Sequence, residues 1–206
     1  MLKNIGISLL AGYTQDLEYT ASLWKDIARQ HSKKKRFYHT LAHLEHLYKN
    51  LSKVQNKIID WDMVLFALFY HDYIYNALKQ DNEEQSAKKA VKVLYSLQVT
   101  DRRIMHCKDL ILATKGHQIS ENNDINYFTD ADLSILGSDW LTYKTYFTNV
   151  RKEYKYYPDF MYNKGRIKVL NHFIAMPKIF KTSFFYEHYE NNAKNNLRQE
   201  IKILSA

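Results

Sequence analysis

The sequence predicts an all-helical fold, and three observations support this prediction. Glycine and proline, the residues that most often interrupt helices, number only 5 and 2 in a chain of 206 residues. Tyrosine (17) and phenylalanine (10) supply abundant side chains for packing between helices. Apolar residues recur at three- and four-residue spacing, and no stretch shows the alternation typical of strands. With 46% hydrophobic residues, the chain is expected to form one domain over residues 1–206.

The first two predicted helices span residues 14–30 and 39–53. Residues 14–30 place their apolar side chains on one face, as an amphipathic helix does. In residues 39–53, a leucine-rich stripe lies on one face and a set of histidines lies on another. These histidines are His39, His43 and His46.

Residues that cap helix ends predict the next two helices. Asp60 can cap a helix over residues 61–75, which is strongly apolar. Asn82 with Gln85 resembles a capping box for a helix that runs to about Leu97.

The second half of the chain continues the same pattern. Thr100 can cap a helix that ends at Gly116, because glycine favours the left-handed backbone found after many helices. A polar loop over residues 117–127 and a short helix from Thr129 to Gly137 follow. The remaining predictions are a long aromatic helix from Ser138 to Pro158 and two further helices that lead to the C-terminus.

Composition limits the setting in which the protein works. The single cysteine, Cys107, cannot form an internal disulfide, which fits a reducing, cytoplasmic location. The N-terminal segment lacks the full features of a secretory signal, so we expect it to belong to the mature protein. Lysine or aspartate interrupts every apolar run, and none approaches the roughly 20 residues needed to cross a bilayer. We therefore expect no membrane partner.

The net charge of +8 raises the question of a polyanionic partner. The basic residues are scattered, and the densest run, Lys33 to Arg36, lies beside His39. This run could attract phosphate, or it could form a solvated loop. Because no RNA-binding signature accompanies it, a nucleic acid is not the favoured partner.

The most informative segment is the end of the helix predicted over residues 61–75. Its apolar stripe continues at helical spacing onto His71 and Asp72, so an imidazole and a carboxylate are expected to face the core. A buried ionised carboxylate without a partner is costly. A divalent cation bound by both side chains would compensate it, since both are ligands for transition metals. An internal His–Asp hydrogen bond, or a salt bridge to Arg36 or Arg166, would also do so.

Two other pairs extend the candidate site. His39 and His43 are one helical turn apart, a spacing that helix-borne metal ligands use, although chance clustering of nine histidines would also produce it. Asp130 and Asp132 lie so close in sequence that a cation or solvent is needed for both to remain ionised. Asp130 could instead cap the short helix that follows.

These residues resemble the H…HD…D signature of the HD superfamily, whose members are helical metal-dependent phosphohydrolases. The matching segments are RFYH, ending at His39, then HD at His71 and Asp72, then ADL around Asp132. Longer stretches look like one subgroup, the predicted metal-dependent HD superfamily phosphohydrolases of bacteria, over nearly the whole chain. These stretches are RFYHTLAHLEHL, ALFYHDYIYN, DNEEQSA, LILATKGH, DADLSILG, EYKYYPDFMYNKGR and NNLRQEI.

The resemblance implies a single HD-type helical bundle that binds one divalent metal ion, which could be Mn, Fe, Co, Ni, Mg or Zn. The matching positions make the ligands His39, His71, Asp72 and Asp132. Asp130 would support the site without touching the metal.

The resemblance further implies hydrolysis of a phosphate ester, with a nucleotide among the candidate substrates, by metal-activated water. Besides Asp72, the candidates for catalysis are Glu83 and Glu84, which follow the HD pair in the first turn of the next helix. Exposed acids are also common at that position without any catalytic role.

Several basic residues are candidates for binding the substrate. They are Arg36, His43, Lys115, His117 and Arg166. Each could instead be a surface charge, and His43, His106 or His117 could be an additional metal ligand. Three rival functions remain. They are a non-catalytic metal or nucleotide sensor of the HD fold, a basic helical protein that binds nucleic acid, and an oxygenase of the same fold class, which would need more ligands for a di-iron centre than the sequence offers. The oligomeric state, including a homodimer, stays open.

Overall fold

Within residues 1–205, which the computed structural model describes, all regular secondary structure is helical. The prediction of an all-helical fold is therefore confirmed. The α-helices are α1 (Leu2–Ala11), α2 (Leu17–His31), α3 (Leu41–Ser52), α4 (Trp61–Tyr70), α5 (Asn82–Ser96), α6 (Asp101–Ala113), α7 (Asn123–Leu133), α8 (Trp140–Glu153), α9 (Asp159–Ala175) and α10 (Ser183–Leu204). Short 3₁₀ turns occur at Gln55–Lys57 and Ser134–Gly137. No helix in the described residues is both long and apolar enough to span a membrane.

Contacts between Cα atoms divide the chain into two compact units, Met1–Thr129 and Asp130 to the C-terminus. The division falls inside α7, which is a continuous helix. Each unit contains its own set of fully buried apolar side chains. The single domain expected over residues 1–206 stays a prediction.

The first unit is built around α4, which is buried on every face after its first two residues. All residues from Met63 to Tyr70 are buried, as expected for a helix that is hydrophobic all round. Helices α1, α3, α5 and α6 contact it. Asp60 caps α4 as predicted, because its carboxylate accepts a hydrogen bond from the Met63 N–H at 3.3 Å. The apolar run therefore carries the residue after Tyr70 into the interior.

Helix α1 was not predicted. It buries Leu2, Leu9 and Leu10 and contacts α2. A Cβ atom on Gly6 would lie 2.7 Å from a ring carbon of Trp24, so the close approach of α1 to α2 depends on glycine.

Two predictions about the helices after Asp60 were wrong. Helix α4 ends at Tyr70, five residues before the expected boundary at residue 75, because His71 begins a series of turns. Asn82 and Gln85 do not form a capping box, and the residue that precedes α5, Asp81, makes no side-chain cap. The Asn82 side chain instead bonds the backbone N–H and C=O of Asn76, at 3.0 Å each. This local alternative competes with capping.

The boundaries around α6 and α7 also differ from the prediction. Thr100 precedes α6 but makes no side-chain cap, and α6 ends at Ala113 rather than at Gly116. The residue with left-handed backbone is His117, with φ of 50°, rather than the glycine before it. The loop expected over residues 117–127 is shorter, because α7 already begins at Asn123.

In the second unit, α10 contacts α9 and the 3₁₀ turn Ser134–Gly137. A Cβ atom on Gly137 would lie 2.5 Å from the carbonyl oxygen of Tyr189, so this contact also requires glycine. The Asn196 amide donates to the carbonyl oxygens of Leu136 and Ser138, at 2.8 Å each. Together these contacts fix the turn against α10.

The helices of the second unit otherwise follow the sequence pattern. The predicted aromatic helix is α8, and its cap is Asp139 rather than Ser138, since Asp139 accepts from the Thr142 N–H at 3.0 Å. Pro158 immediately precedes α9. The two further helices expected before the C-terminus are α9 and α10.

Candidate metal centre

His71 and Asp72 lie directly after the last residue of α4. His71 is only 2% exposed, and its backbone N–H still bonds the Ala67 carbonyl at 2.8 Å, as in a helix. Its ring Nδ1 lies 3.1 Å from the Leu68 carbonyl oxygen, so Nδ1–H donates there. This bond directs Nε2 away from the helix and fixes the ring, as backbone carbonyls do for many metal-binding histidines.

His43 approaches His71 from the first turn of α3. Thr40 is the N-cap of α3 and accepts a hydrogen bond from the Ala42 N–H at 3.3 Å. His43 follows in the first turn and is 4% exposed. His39 precedes the cap, so the prediction that His39 and His43 share a helix face was wrong. Their rings nevertheless meet edge to face, with centroids 5.7 Å apart.

The imidazoles of His39, His43 and His71 all direct Nε2 toward one carboxylate oxygen. Asp72 Oδ2 lies 3.1 Å from His71 Nε2, 3.6 Å from His43 Nε2 and 4.0 Å from His39 Nε2. The Nε2 atoms of His43 and His71 are 3.2 Å apart. Four side chains from two separate segments therefore converge on one point of the first unit.

These separations fit the binding of one divalent cation. Nitrogen and oxygen ligands bind such ions at about 2.0–2.2 Å, which places neighbouring ligand atoms roughly 3–3.5 Å apart. The distances among His43, His71 and Asp72 lie in or next to this range. Nδ1 of His71 already donates its proton to a carbonyl, so Nε2 of the same ring carries a lone pair. This lone pair faces Nε2 of His43, and a cation bound between the two atoms would accept the lone pairs that otherwise face each other. The donor set suits a transition metal.

The charge of Asp72 is met by the surrounding imidazoles. Burial alone raises the pKa of its carboxyl group, but the facing rings of His71, His39 and His43 outweigh this effect. The pKa is therefore well below its ordinary value, and Asp72 is ionised at neutral pH. Arg166, the other cation considered as a partner, pairs with Glu200 in the second unit.

Arg36 connects the two segments that carry the cluster. The side chain is buried, and one guanidinium nitrogen donates to the His39 carbonyl at 3.0 Å and lies 3.2 Å from His31 Nδ1. The other donates to the Tyr73 carbonyl at 3.0 Å. Burial and the guanidinium lower the pKa of His31 to about 3, so its neutral ring accepts from Arg36. Arg36, expected to bind substrate, thus holds the backbone beside His39 and beside Asp72.

Aromatic rings enclose the histidines. Tyr75 stacks on His39 with centroids 4.1 Å apart, and Tyr38 lies 4.9 Å from the rings of both His39 and His43. Phe128 of α7 meets His71 edge to face at 5.8 Å. These contacts restrict the rotation of each imidazole and lower the local polarity.

Asp132 follows Phe128 by four residues in α7, so both residues lie on the same face of that helix. Among residues 1–205, His43, His71 and Asp132 form a group that could hold a metal ion. His71 and Asp132 were expected as ligands. His43 was expected to bind substrate or to be an extra ligand.

Asp130 is completely buried in the second unit and is occupied by backbone groups. Its carboxylate accepts the N–H of Lys181 at 3.0 Å and both the N–H and hydroxyl of Thr182, at 2.7 and 2.8 Å. It neither caps α7 nor precedes it, because Thr129 and Asp130 are internal to that helix. Asp130 instead fixes the segment that leads into α10.

The acids expected to act in catalysis lie in the first turn of α5. Glu84 Oε1 accepts from the Lys115 ammonium at 2.5 Å, and Lys115 also donates to the Gln80 carbonyl at 2.8 Å. The hydrogen bond from Lys115 lowers the pKa of Glu84, and the same bond raises the pKa of Lys115. Glu83 neighbours this pair on the same turn. Lys115, expected to bind substrate, thus contacts one of the two predicted catalytic acids.

The other residues expected to bind substrate lie in different surroundings. His117 is part of the turn after α6. Arg166 donates to both carboxylate oxygens of buried Glu200, at 2.7 and 3.0 Å, and Tyr143 donates to the same carboxylate. This buried ion pair joins α9 to α10, so the contacts of Arg166 are those of a structural residue.

His31 carried no sequence signal, and the backbone contact of Tyr73 could not be predicted from the sequence. His31 ends α2 and contacts Arg36, although the amphipathic pattern of residues 14–30 gave no reason to single it out. Tyr73 offers its carbonyl to Arg36, and its hydroxyl donates to Asp26. A backbone carbonyl leaves no trace in a sequence.

The chain matches no protein-family model, no curated protein and no solved structure.

Proposed function

We propose that the protein is a metal-dependent phosphohydrolase whose divalent cation is held by the histidine and aspartate cluster. The observation that carries the proposal is the convergence of His43 Nε2, His71 Nε2 and Asp72 Oδ2, whose separations run from 3.1 to 3.6 Å. The motif resemblance, with its H, HD and D positions, supplies the reaction class. That reaction class rests on the motif alone.

The proposed ligands differ in their distances from Asp72 Oδ2 and in their exposure to solvent. His71 and His43 are buried and close to each other, so they form the inner part of the site. His39 lies at the larger distance of 4.0 Å from Asp72 Oδ2 and is 19% exposed, which makes it the outer ligand. Asp132 is the fourth position of the signature and completes the proposed ligand set.

The chain's own residues orient the site. A bound divalent cation supplies an activated water nucleophile and positive charge for the phosphate oxygens. The Leu68 carbonyl holds the His71 ring in one orientation, and Arg36 holds the two segments together. Tyr38 and Tyr75 shield the outer histidine from solvent.

Glu83 and Glu84 remain the proposed source of proton transfer. The lowered pKa of Glu84 keeps it ionised at neutral pH, so it would accept a proton rather than donate one. A small phosphorylated compound, with nucleotides as the first class to examine, is the proposed substrate.

Elemental analysis of the purified protein tests the metal site. We expect about one Mn, Fe, Co, Ni or Zn ion per chain, and near-complete loss of it in His71→Ala and Asp72→Ala. The matched control is His106→Ala, because His106 also pairs with a buried aspartate, Asp124, at 3.3 Å in the same unit. Full metal content in both His71→Ala and Asp72→Ala contradicts the proposal.

A panel of nucleotides and other phosphoesters, assayed with Mn, Co, Ni and Mg, tests the reaction. Phosphate release that disappears on chelation and in Asp72→Ala supports hydrolysis. Tight metal and nucleotide binding without turnover would identify a sensor instead. Salt-sensitive binding of nucleic acid that survives Asp72→Ala would identify the basic residues as the functional ones.

A further inference from the structure

A cleft of about 700 Å³ opens to solvent in the first unit, among α1, α3, α4 and α6. Sites that bind small molecules have volumes of roughly 300–1,000 Å³. The cleft adjoins the first residues of α4, whereas the histidine and aspartate cluster follows its last residue. Helix α4 has 10 residues, which correspond to a length of about 15 Å. The cleft is therefore separate from the candidate metal centre.

Short side chains along α1 and at its C-terminal end keep this cleft open. Asn4, Ser8 and Gly12 line it at four-residue spacing, so they lie on one face of the helix. All three are exposed to solvent. A long side chain at any of these positions would occupy the space, which gives a direct way to close the cleft.

Aromatic rings from three segments line the cleft. Tyr48 of α3 and Trp61 of α4 are tilted toward each other, with centroids 6.4 Å apart. Tyr13, in the turn after α1, meets Phe66 edge to face at 5.5 Å, which holds its ring in place. All three lining rings are only partly buried, so part of each remains accessible. The faces of such rings are electron-rich and attract organic cations.

The charged groups of the cleft leave one carboxylate unbalanced. Arg103 donates to both carboxylate oxygens of Asp60, at 2.7 Å each, so these two charges pair with each other. Asp62 Oδ2 lies farther from the same guanidinium, at 3.3 Å, and accepts the Tyr13 hydroxyl at 2.6 Å. Burial and Asp62 raise the pKa of Tyr13, so this hydroxyl is uncharged and leaves the charge of Asp62 in place.

Asp62 is accessible to a ligand as well as unbalanced. Both of its contacts use Oδ2, and its side chain is 45% exposed. The cleft therefore carries a negative charge in a protein whose net charge is +8. Partly exposed aromatic rings beside an accessible carboxylate form the arrangement that binds amines and quaternary ammonium groups.

We propose that this cleft binds an organic cation, an amine or quaternary ammonium group attached to an apolar body. Tyr48 and Trp61 would contact the apolar body, and Asp62 Oδ1 would meet the charge. An anion would find no free partner, because the guanidinium of the cleft is already paired with Asp60. This site is independent of the proposed metal centre and of the proposed hydrolysis.

Three probes of similar size and different charge test the proposal, and they are phenethylamine, phenethyl alcohol and phenylacetate. Binding is followed through the indole N–H signals in NMR spectra, in which Trp61→Phe identifies the signal of Trp61. We expect the amine to bind roughly tenfold more tightly than the alcohol, and the anion to bind most weakly. Asp62→Asn should remove this preference. Asp101→Asn is the matched control, because Asp101 is an exposed carboxylate in the first turn of α6, as Asp62 is in the first turn of α4.

A second variant tests the cleft without changing its charge. Ser8 is exposed, so Ser8→Phe can fill the cleft without disturbing the core, and we expect it to abolish binding of both the amine and the alcohol. Amine binding that is unchanged in Ser8→Phe overturns the proposal. Absence of amine binding to the wild type, equal affinity for amine and alcohol, or tighter binding of phenylacetate also overturns it. If Asp62→Asn does not fold, the charge series on the wild type and the Ser8→Phe result decide the matter.

Discussion

The first unit contains two pairs of histidine and aspartate that differ in their surroundings, and one member of each pair, His71 and Asp124, is buried. Asp124 lies 3.3 Å from His106 Nε2, and it also accepts the backbone N–H groups of Ile59 and Asp60, at 2.8 and 2.9 Å. Its oxygens are thus used by the chain that leads into α4. Asp72 is faced instead by the imidazoles of His39, His43 and His71.

The comparison shows what distinguishes a structural carboxylate from a candidate metal ligand. Backbone N–H groups are fixed donors, and they satisfy Asp124 in any solution condition. Imidazoles facing a carboxylate are satisfied only by a shared proton or a shared cation. The two pairs should therefore respond oppositely to mutation and to metal.

The largest expected effect is on stability without metal. Asp124→Ala would leave the N–H groups of Ile59 and Asp60 without their acceptor, and we expect it to destabilise the fold by about 3 kcal/mol. Asp72→Ala removes a side-chain charge pairing with His43 and His71 rather than the acceptor of backbone N–H groups, so we expect a smaller loss of about 1–2 kcal/mol. Urea unfolding in the presence of a chelator measures both. Equal losses for the two variants would remove the distinction.

Added metal should stabilise the proteins that keep Asp72 and should not stabilise Asp72→Ala. At about 100 times its Kd, Mn²⁺ or Zn²⁺ is expected to stabilise the native state by about 2.7 kcal/mol. For a chain of this size, this corresponds to an increase in Tm of roughly 5–10 °C. We expect the increase in the wild type and in His106→Ala, and its absence in Asp72→Ala. Differential scanning fluorimetry with chelated controls gives the answer.

A smaller effect is expected from Arg36→Lys. Lysine keeps the positive charge, but its single ammonium nitrogen cannot replace the two guanidinium nitrogens that donate to the carbonyls of His39 and Tyr73. The ligand segments would be less well fixed, and we expect metal affinity to fall roughly 10-fold to 100-fold. Competition with a fluorescent chelator measures this. Unchanged affinity would mean that Arg36 does not position the ligands.

The smallest expected effect is on the acid side of the stability profile. Burial raises the pKa of Asp124, but the hydrogen bonds from His106 and the N–H groups of Ile59 and Asp60 lower it below 3.8 overall. A carboxyl group with a lowered folded-state pKa stabilises the protein above its unfolded pKa, and that stability is lost as pH falls through the folded value.

Asp124→Asn removes this titration. Its unfolding free energy should therefore decline less steeply than that of the wild type between about pH 5 and about pH 2. Urea titrations at a series of pH values measure the slope. Parallel profiles for the two proteins would mean that Asp124 does not contribute.

The sequence predicted the helices well where their apolar pattern is strong, and less well where they end. The stripe of α4 extends in sequence onto His71 and Asp72, but the helix stops at Tyr70. The reason is tertiary, since the Arg36 guanidinium binds the Tyr73 carbonyl and the Ser86 hydroxyl binds both backbone groups of Ile74. Such contacts between distant residues have no local pattern.

The candidate site was predicted in part, for a related reason. His39, His71 and Asp72 were singled out from motif spacing, and the structure brings these three together with His43. The argument that His39 and His43 share a helix face failed, yet a turn before the cap of α3 places the rings together.

The burial of α4 from Met63 to Tyr70 has a consequence for how freely this chain can vary. Every residue from Met63 to Tyr70 is packed on all sides, so a polar replacement anywhere in this run has no surface to which it can turn. Helix α9, of 17 residues, buries only Tyr162 and Leu170 and can accept changes at most positions. A saturation mutagenesis map should therefore show a continuous run of positions that tolerate few substitutions, from Met63 to Asp72. Packing would constrain the positions up to Tyr70, and the proposed metal site would constrain His71 and Asp72.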